Sequence, residues 1–286
     1  MTSMGSKGRI WAMRAKSKWP EEDLARIRAL RLIDDDFMKV CFAGSPECVE
    51  FVLRTVLDKP TLSVRQLTVP SQRTGLRGRS VIFDVLAVDA DGKAYDIEIQ
   101  RSDRGAGSRR ARFYSAALDF GLLGKGDSFE ALPESYVLFI TENDVLGKGV
   151  AVTHIERIAV EDGVAFGDGS HIVYVNGAWR GRDAVGRLMR DFFCADPAKM
   201  KSPVLKARAV ELKETEKGVG TMCKMLEQMR VEAEARGEAR GEARGEAQGL
   251  LAAARTIVAD GIASLDQVVK SLNLTKSQER TLRAML

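Results

Sequence analysis

Histidine is scarce in this chain of 286 residues, which contains only His154 and His171. Two isolated histidines argue against a histidine-rich zinc site and against a Ser-His-Asp hydrolase, because both depend on histidine. A metal bound by this protein would therefore take oxygen ligands, which Mg²⁺ and Mn²⁺ prefer. The composition thus narrows the expected cofactor to Mg²⁺ (or Mn²⁺).

Long apolar runs and paired cysteines are also missing. No apolar stretch approaches the ~18 residues of a membrane span, and the N-terminus lacks the apolar region of a signal peptide. The four cysteines show no Cys-x-x-Cys spacing, which favours reduced, buried thiols. We therefore expect a cytoplasmic protein that has no membrane partner.

Charge is distributed unevenly along the chain. Residues 1–31 contain eight Lys or Arg against Glu21, Glu22 and Asp23, a balance of +5, so the remaining residues carry about −1 of the total +4. We expect residues 1–30 to form a basic arm and helix. This arm would either contact an anionic polymer or remain a solvated tail.

Residues 81–100 (VIFDVLAVDADGKAYDIEIQ) have the pattern of a β-hairpin, with β-branched and aromatic residues on both sides of a turn. If the loop is centred on Asp91, Asp84 lies directly opposite Glu98. Asp96 and Gln100 then share the face of Glu98, because side chains alternate along a strand. Like charges in opposite positions destabilise a hairpin, and a divalent cation would offset their repulsion.

An arginine-rich segment follows the hairpin. We expect a helix capped by Ser108 that runs to about Leu123, with Arg110 and Tyr114 on one face because they are four residues apart. The predicted buried residues are Phe113, Ala116, Ala117 and Phe120. Guanidinium groups at this density suit phosphate binding better than a solvated helix face, which more often mixes Lys and Glu. The arginines are Arg101, Arg104, Arg109, Arg110 and Arg112.

Other patterns indicate an α/β domain with a mixed central sheet. Helices are predicted from Pro20, over residues 45–57, over 183–193 and over 203–230. Strands are predicted over residues 61–70, 136–141 and 172–175. We expect the domain to span residues 31–200.

Beyond it, residues 201–250 are expected to form a long helix that includes a four-residue Gly/Glu/Ala/Arg repeat. Its glycine and alanine ridges would let a second helix approach closely, so we expect a homo-oligomer through this helix, with a solvated linker helix as the alternative. Residues 251–286 are expected to form a small helical module, for packing or interaction rather than for reading DNA.

Several short motifs, in this order, resemble the PD-(D/E)XK nuclease superfamily. More narrowly, they resemble its Rpn-type branch, whose members are labelled recombination-promoting nuclease or transposase. The motifs lie at residues 34–39 (DDDFMK), 83–86 (FDVL), 91–93 (DGK), 97–100 (IEIQ), 110–114 (RARFY) and 140–144 (ITEND). The Gly/Glu/Ala/Arg tail is also similar to that branch, and the resemblance covers about residues 30–250.

This resemblance implies a restriction-endonuclease-like core with a mixed sheet flanked by helices, followed by an α-helical C-terminal extension. It also implies a Mg²⁺-dependent endonuclease that hydrolyses DNA phosphodiester bonds, linked to recombination or mobile elements. Asp84 and Glu98 would be catalytic and would bind the metal with the carbonyl of Ile99. A third acid would come from residues 34–36, with Asp36 as the first choice.

The helical residues Arg110 and Tyr114 match positions that face the metal in relatives. Gln100, which would be catalytic, departs from the superfamily pattern, where lysine is usual. Lysine supplies a positive charge, whereas glutamine orients water only through hydrogen bonds. We expect a neighbour such as Arg112 to supply that charge. The alternative function is a catalytically weak or inactive nuclease-derived protein that binds DNA or serves in assembly.

Overall fold

The computed structural model describes residues 18–69, 71–74, 80–101 and 103–286. The first part of the predicted basic arm, residues 1–17, lies outside them. The chain divides into two compact units, one ending at Cys223 and the other comprising Lys224–Leu286. The sequence placed the end of the nuclease-like domain at residue 200, so the first unit extends further than this predicted boundary.

Nine helices lie within the described residues. They are α1 (Glu21–Ala29), α2 (Asp35–Phe42), α3 (Pro46–Leu57), α4 (Ser108–Phe120), α5 (Ala184–Phe192), α6 (Pro203–Glu214), α7 (Glu216–Ala259), α8 (Leu265–Ser271) and α9 (Lys276–Met285). The described strands are β1 (Val64–Thr68), β2 (Ser71–Thr74), β3 (Ser80–Phe83), β4 (Val85–Asp89), β5 (Ala94–Gln100), β6 (Ser135–Thr141), β7 (Val152–Ile155) and β8 (Ser170–Asn176).

The central sheet has six strands in the order β1-β4-β5-β6-β8-β7, and β2 pairs with β3 in a separate ribbon. The first three strands are antiparallel, β6 and β8 continue parallel to β5, and β7 closes the sheet antiparallel. The predicted mixed sheet and α/β class are confirmed. The sequence did not predict β7, a short strand that is only partly buried.

Helix α4 covers the face of the sheet that carries Glu98. Ala111, Tyr114 and Leu118 of α4 pack there on Val137 and Phe139, which lie beside β5 in register.

The buried face predicted for α4 was wrong, because Phe113 and Phe120 are 43% and 56% exposed. The helix is turned so that Tyr114 and Ser115 are buried, with the Ser115 hydroxyl 2.8 Å from that of Ser170. Hydrogen bonds to these hydroxyls offset the cost of burying polar groups on this face. The helix also ends at Phe120, before the predicted Leu123.

Helix α3 packs on β1 and contacts α5 and α6. The single helix predicted over residues 203–230 is interrupted at Thr215, which is extended with φ −93° and ψ 150°. The Thr215 hydroxyl accepts a hydrogen bond from the N–H of Gly218 and thereby caps the start of α7.

The second unit has its own small apolar core. Ala254 of α7, Val268 of α8 and Leu282 of α9 are buried together. Ser264 and Thr275 begin α8 and α9 with capping boxes. Within the described residues, no helix is both long and apolar enough to cross a membrane.

Candidate active site

The pairing of β4 with β5 brings two carboxylates together. Val85 pairs with Ile97, so one further step along the strands places Asp84 opposite Glu98, in the register that the sequence predicts. The N–H of Asp84 donates to Glu98 Oε1 at 2.9 Å, and the N–H of Ile99 donates to Asp84 Oδ2 at 3.2 Å. Two hydrogen bonds from the backbone therefore fix the acids side by side.

Both acids are buried, and both hold their protons more tightly than usual. Asp84 is 7% exposed and Glu98 1% exposed. Burial raises the pKa of Asp84 to about 6; the Asp35 charge adds to this shift, and Lys39 opposes it. Burial and the Asp84 charge raise the pKa of Glu98 to about 8. A buried acid pair with shifted pKa values is a candidate functional site because added positive charge would relieve its repulsion.

A third acid on this face, Asp96, lies deeper. It is fully buried, and neither carboxyl oxygen has a hydrogen-bond partner among the described residues. Its neighbours in register are Leu86 and Val137, and burial followed by the Glu98 charge raises its pKa well above the usual range. Asp96 is therefore expected to stay protonated under the helix rather than to bind an exposed ligand.

Helix α2 brings a cation to the acid pair. The Lys39 Nζ lies 2.8 Å from Asp84 Oδ1 and 2.8 Å from Asp35 Oδ2. Burial alone would lower the pKa of Lys39, but the Asp84 charge and the hydrogen bonds to both acids raise it above its ordinary value. The ammonium is thus charged and bridges the two carboxylates.

Among the three consecutive acids, these contacts favour Asp35. Asp36, the residue favoured from the sequence as the third metal ligand, stays a prediction. Asp34 lies instead against the guanidinium groups of Arg31 and Arg101. Asp35 is the first residue of α2, one helical turn before Lys39, and its charge acts on Asp84.

Helix α4 contributes Arg110 and Tyr114, which share a face as predicted. Arg110 Nη2 donates to the Tyr114 hydroxyl at 2.8 Å and lies 3.6 Å from Glu98 Oε2. The guanidinium carbon is 4.9 Å from the centre of the Tyr114 ring. The tyrosine therefore holds the arginine beside the more deeply buried acid.

The other arginines differ in their surroundings. Arg101 is half exposed and contacts Asp34 and Glu142 at 3.0 and 3.5 Å. Arg109 and Arg112 are exposed on α4, and the side chain of Arg104 lies outside the described residues. Arg112 follows Arg110 by two residues, about 200° around a helix, so it is not placed to supply the charge that Gln100 lacks.

Gln100 ends β5 on the face of Glu98 and is partly buried. Its amide oxygen packs against the Cα of Gly105, where any side chain would collide with it. The carbonyl of Ile99 faces the edge on which Asp84 lies, because the N–H and carbonyl of one strand residue point the same way.

The donor set fits a hard divalent cation. Asp84, Glu98 and the Ile99 carbonyl offer oxygen atoms only, and Mg²⁺ commonly binds one or two carboxylates while keeping several waters. No group of three or more carboxylate, histidine or cysteine side chains arranged for a metal occurs in the described part of the chain. The geometry therefore suits a site completed by water or by a substrate phosphate.

Comparison with known proteins finds a similarity over the central strands. Residues 53–176 match the sequence model of the family described as PD-(D/E)XK nuclease family transposase. The matched residues include strands β4 and β5 and therefore both acids of the pair. The match supports a nuclease-like function and a restriction-endonuclease-like fold, and it begins after α2. No curated protein and no solved structure matches the chain.

The sequence interpretation did not single out Lys39, whose ammonium contacts Asp84. The signal available for it was the spacing of four between Asp35 and Lys39, which predicts an ion pair on one helix face. The contact with Asp84 depends on how α2 packs beside the sheet, which the spacing does not specify.

Proposed function

We propose that this protein is a Mg²⁺- or Mn²⁺-dependent endonuclease that hydrolyses phosphodiester bonds in DNA. We base this proposal on the buried pair Asp84 and Glu98, which lie opposite each other within the residues that match the PD-(D/E)XK family. These two residues and the Ile99 carbonyl would hold the cation. When bound, such a cation lowers the pKa of a water molecule and neutralises the scissile phosphate.

The remaining residues of the site would bind and orient the substrate. The Gln100 amide would orient the attacking water through hydrogen bonds. Arg110 and the more exposed arginines of α4 would bind phosphate oxygens, to which a guanidinium fork is matched. Exposed Arg101 directly follows Gln100, the last residue of β5, and would extend this contact along the DNA backbone.

Plasmid nicking tests this proposal. Asp84→Ala and Glu98→Ala should each slow nicking in Mg²⁺ or Mn²⁺ by about a thousandfold or more, because the metal supplies several kcal/mol of transition-state stabilisation. Glu134→Ala, a surface glutamate at the opposite end of the sheet, is the matched control and should nick like the wild type. A chelator should abolish nicking by the wild type.

Equal nicking by wild type, Asp84→Ala and Glu98→Ala would contradict the site assignment. The alternative is a nuclease-derived protein that binds DNA without cutting it. Gln100 favours this alternative because it carries no charge. Metal-independent DNA binding without nicking under any of these conditions would support it.

The cellular location and the assembly remain proposals. All four cysteines are free thiols, which supports the reducing environment of the cytoplasm. The repeat within α7 is largely exposed, which leaves its glycine and alanine ridges available for self-association. A role in recombination or mobile elements comes from the resemblance alone.

A further inference from the structure

The acid pair is faced by a lysine that does not come from the sheet. Position 100 on β5 holds an uncharged glutamine, whereas α2 places the Lys39 ammonium 2.8 Å from Asp84 Oδ1. Arg110, the other cation seen beside the pair, is farther from its acid, at 3.6 Å from Glu98 Oε2, and also donates to Tyr114. Lys39 is therefore the closer of these two positive charges.

The position of this ammonium does not depend on Asp84 alone. Asp35, one turn earlier on α2, holds the Lys39 Nζ at 2.8 Å. The helix is anchored by Phe37, Met38 and Phe42, which are buried in the core. If Asp84 were engaged by a divalent cation, Asp35 would still hold the ammonium in place. Such a preorganised charge can act without reorganisation when a reaction develops negative charge nearby.

The Lys39 side chain is also accessible. About a quarter of it is exposed, although it contacts an acid that is almost completely buried. A lysine whose role was only to neutralise buried acids would need no access to solvent. Its partial exposure leaves room for a phosphate oxygen to reach the ammonium beside Asp84.

We propose that Lys39 is a catalytic residue, which supplies from helix α2 the positive charge that position 100 lacks and contacts a nonbridging oxygen of the scissile phosphate. The inference rests on the proposed nuclease function and adds a residue to that site. In this role Lys39 transfers no proton; it stabilises the negative charge that builds on the phosphate as water attacks and the bond to the leaving oxygen breaks.

Three variants test the role of Lys39. Lys39→Gln removes the charge and Lys39→Arg keeps it, while Lys93→Gln removes a lysine with similar exposure that pairs with Glu134 at 2.9 Å away from the site. Lys39→Gln should slow plasmid nicking about 100-fold, the cost of losing one preorganised donor. Lys39→Arg should stay within about tenfold of the wild type, and Lys93→Gln should match it.

Mn²⁺ affinity, measured by calorimetry without DNA, separates this role from a structural one. Lys39→Gln should bind Mn²⁺ at least as tightly as the wild type, because the ammonium competes for Asp84. Weaker Mn²⁺ binding that accounts for the slower nicking would overturn the inference and make Lys39 a support for Asp84. Thermal unfolding of each variant checks the fold. If Lys39→Gln does not fold, the nicking rate of Lys39→Arg tests the inference instead. An Arg variant that hardly nicks would rule out a role for the charge alone.

Failure of the Lys39 inference can be distinguished from failure of the proposed nuclease function. If the wild type nicks and Asp84→Ala does not, but Lys39→Gln nicks at the wild-type rate, the inference falls and the proposed function stands. If the wild type nicks no DNA with any divalent cation, both fall together.

Discussion

Two charged clusters lie on the central sheet, one at each end of β5. They differ in how their acids are buried and hydrogen-bonded. The first cluster, which we call the acid-pair cluster, is Asp84, Glu98, Lys39 and Arg110. The second, which we call the tyrosine cluster, consists of Asp89, Lys93, Tyr95, Glu134 and Tyr136.

In the tyrosine cluster the acids are satisfied by hydrogen bonds. Asp89 accepts from the N–H groups of Asp91 and Lys93 and from the Tyr95 hydroxyl at 2.7 Å. Glu134 accepts from Lys93 and from the Tyr136 hydroxyl, and these hydrogen bonds lower its pKa. Glu134, held in this way, stabilises the fold in its charged form.

In the acid-pair cluster, burial affects the pKa of the acids more strongly than the hydrogen-bond donors around them do. Glu98 is 1% exposed and its pKa is raised to about 8. Acidic residues and nearby lysines therefore do not by themselves identify a functional site. A functional site is indicated by a pair of acids whose ionisation is unfavourable in free energy when no ligand is bound.

The first effect expected from this difference is on metal binding. Mn²⁺ at 100 times its dissociation constant should raise the free energy of unfolding by about 2.7 kcal/mol, because the folded state alone binds it. The shift should appear in the wild type and in Glu134→Gln and should be largely lost in Glu98→Gln. Thermal unfolding with and without Mn²⁺ measures it.

The reverse pattern would contradict the assignment of the metal ligands. If Glu134→Gln lost the Mn²⁺ shift and Glu98→Gln kept it, the cation would bind at the tyrosine cluster. The proposed assignment of Asp84 and Glu98 as ligands would then be wrong.

The next effect concerns pH without metal. The folded pKa of Glu98, about 8, lies above the ordinary value of 4.5, so the folded state binds its proton more tightly. The stability from this group is fully present below about pH 4.5 and is lost as pH rises through 8. The free energy of unfolding should fall across this range by up to about 1.4 kcal/mol per pH unit.

Glu98→Gln should reduce that slope and leave the part due to Asp84, whose pKa is also raised, whereas Glu134→Gln should keep the slope because the Glu134 pKa is shifted downward. Denaturant unfolding in a chelator, at intervals between pH 5 and 8, measures the slope. A wild-type protein whose stability rises over this range would show that Glu98 is charged and compensated in the metal-free fold.

Much of this architecture could be predicted from the sequence because the signals are local. The turn around Asp91 and the alternation on either side specify the register that places Asp84 opposite Glu98. Ser264 and Thr275 identify the starts of α8 and α9 through their own capping hydrogen bonds. Each of these features depends on residues close together in the chain.

The rest depends on packing between distant segments. The hydrophobic pattern of α4 placed Phe113 in the core, but the helix is turned to bury Tyr114, whose hydroxyl Arg110 satisfies. The contact of Lys39 with Asp84 likewise requires α2 to dock beside the sheet. No local pattern records which helix face will find a polar partner across the interface.

The smallest effect is expected at two tyrosine hydroxyls, each of which accepts a hydrogen bond from a cationic side chain. Tyr114 accepts from Arg110 at 2.8 Å in the acid-pair cluster, and Tyr136 accepts from Lys59 at 2.7 Å in the tyrosine cluster. Either Tyr→Phe change removes one hydroxyl and should cost about 1 kcal/mol of stability. Only Tyr114→Phe should also slow nicking, by about threefold to tenfold, because Arg110 loses the group that holds it beside Glu98.

Plasmid nicking and denaturant unfolding of both variants give the two measurements. Tyr136→Phe should lose stability but nick like the wild type, since its hydroxyl lies in a cluster that only supports the fold. If both variants nick equally slowly, the loss follows from general destabilisation and the two clusters are not functionally distinct. If Tyr114→Phe nicks normally, Arg110 keeps its position without the hydroxyl, and its packing on the Tyr114 ring at 4.9 Å is enough to hold it.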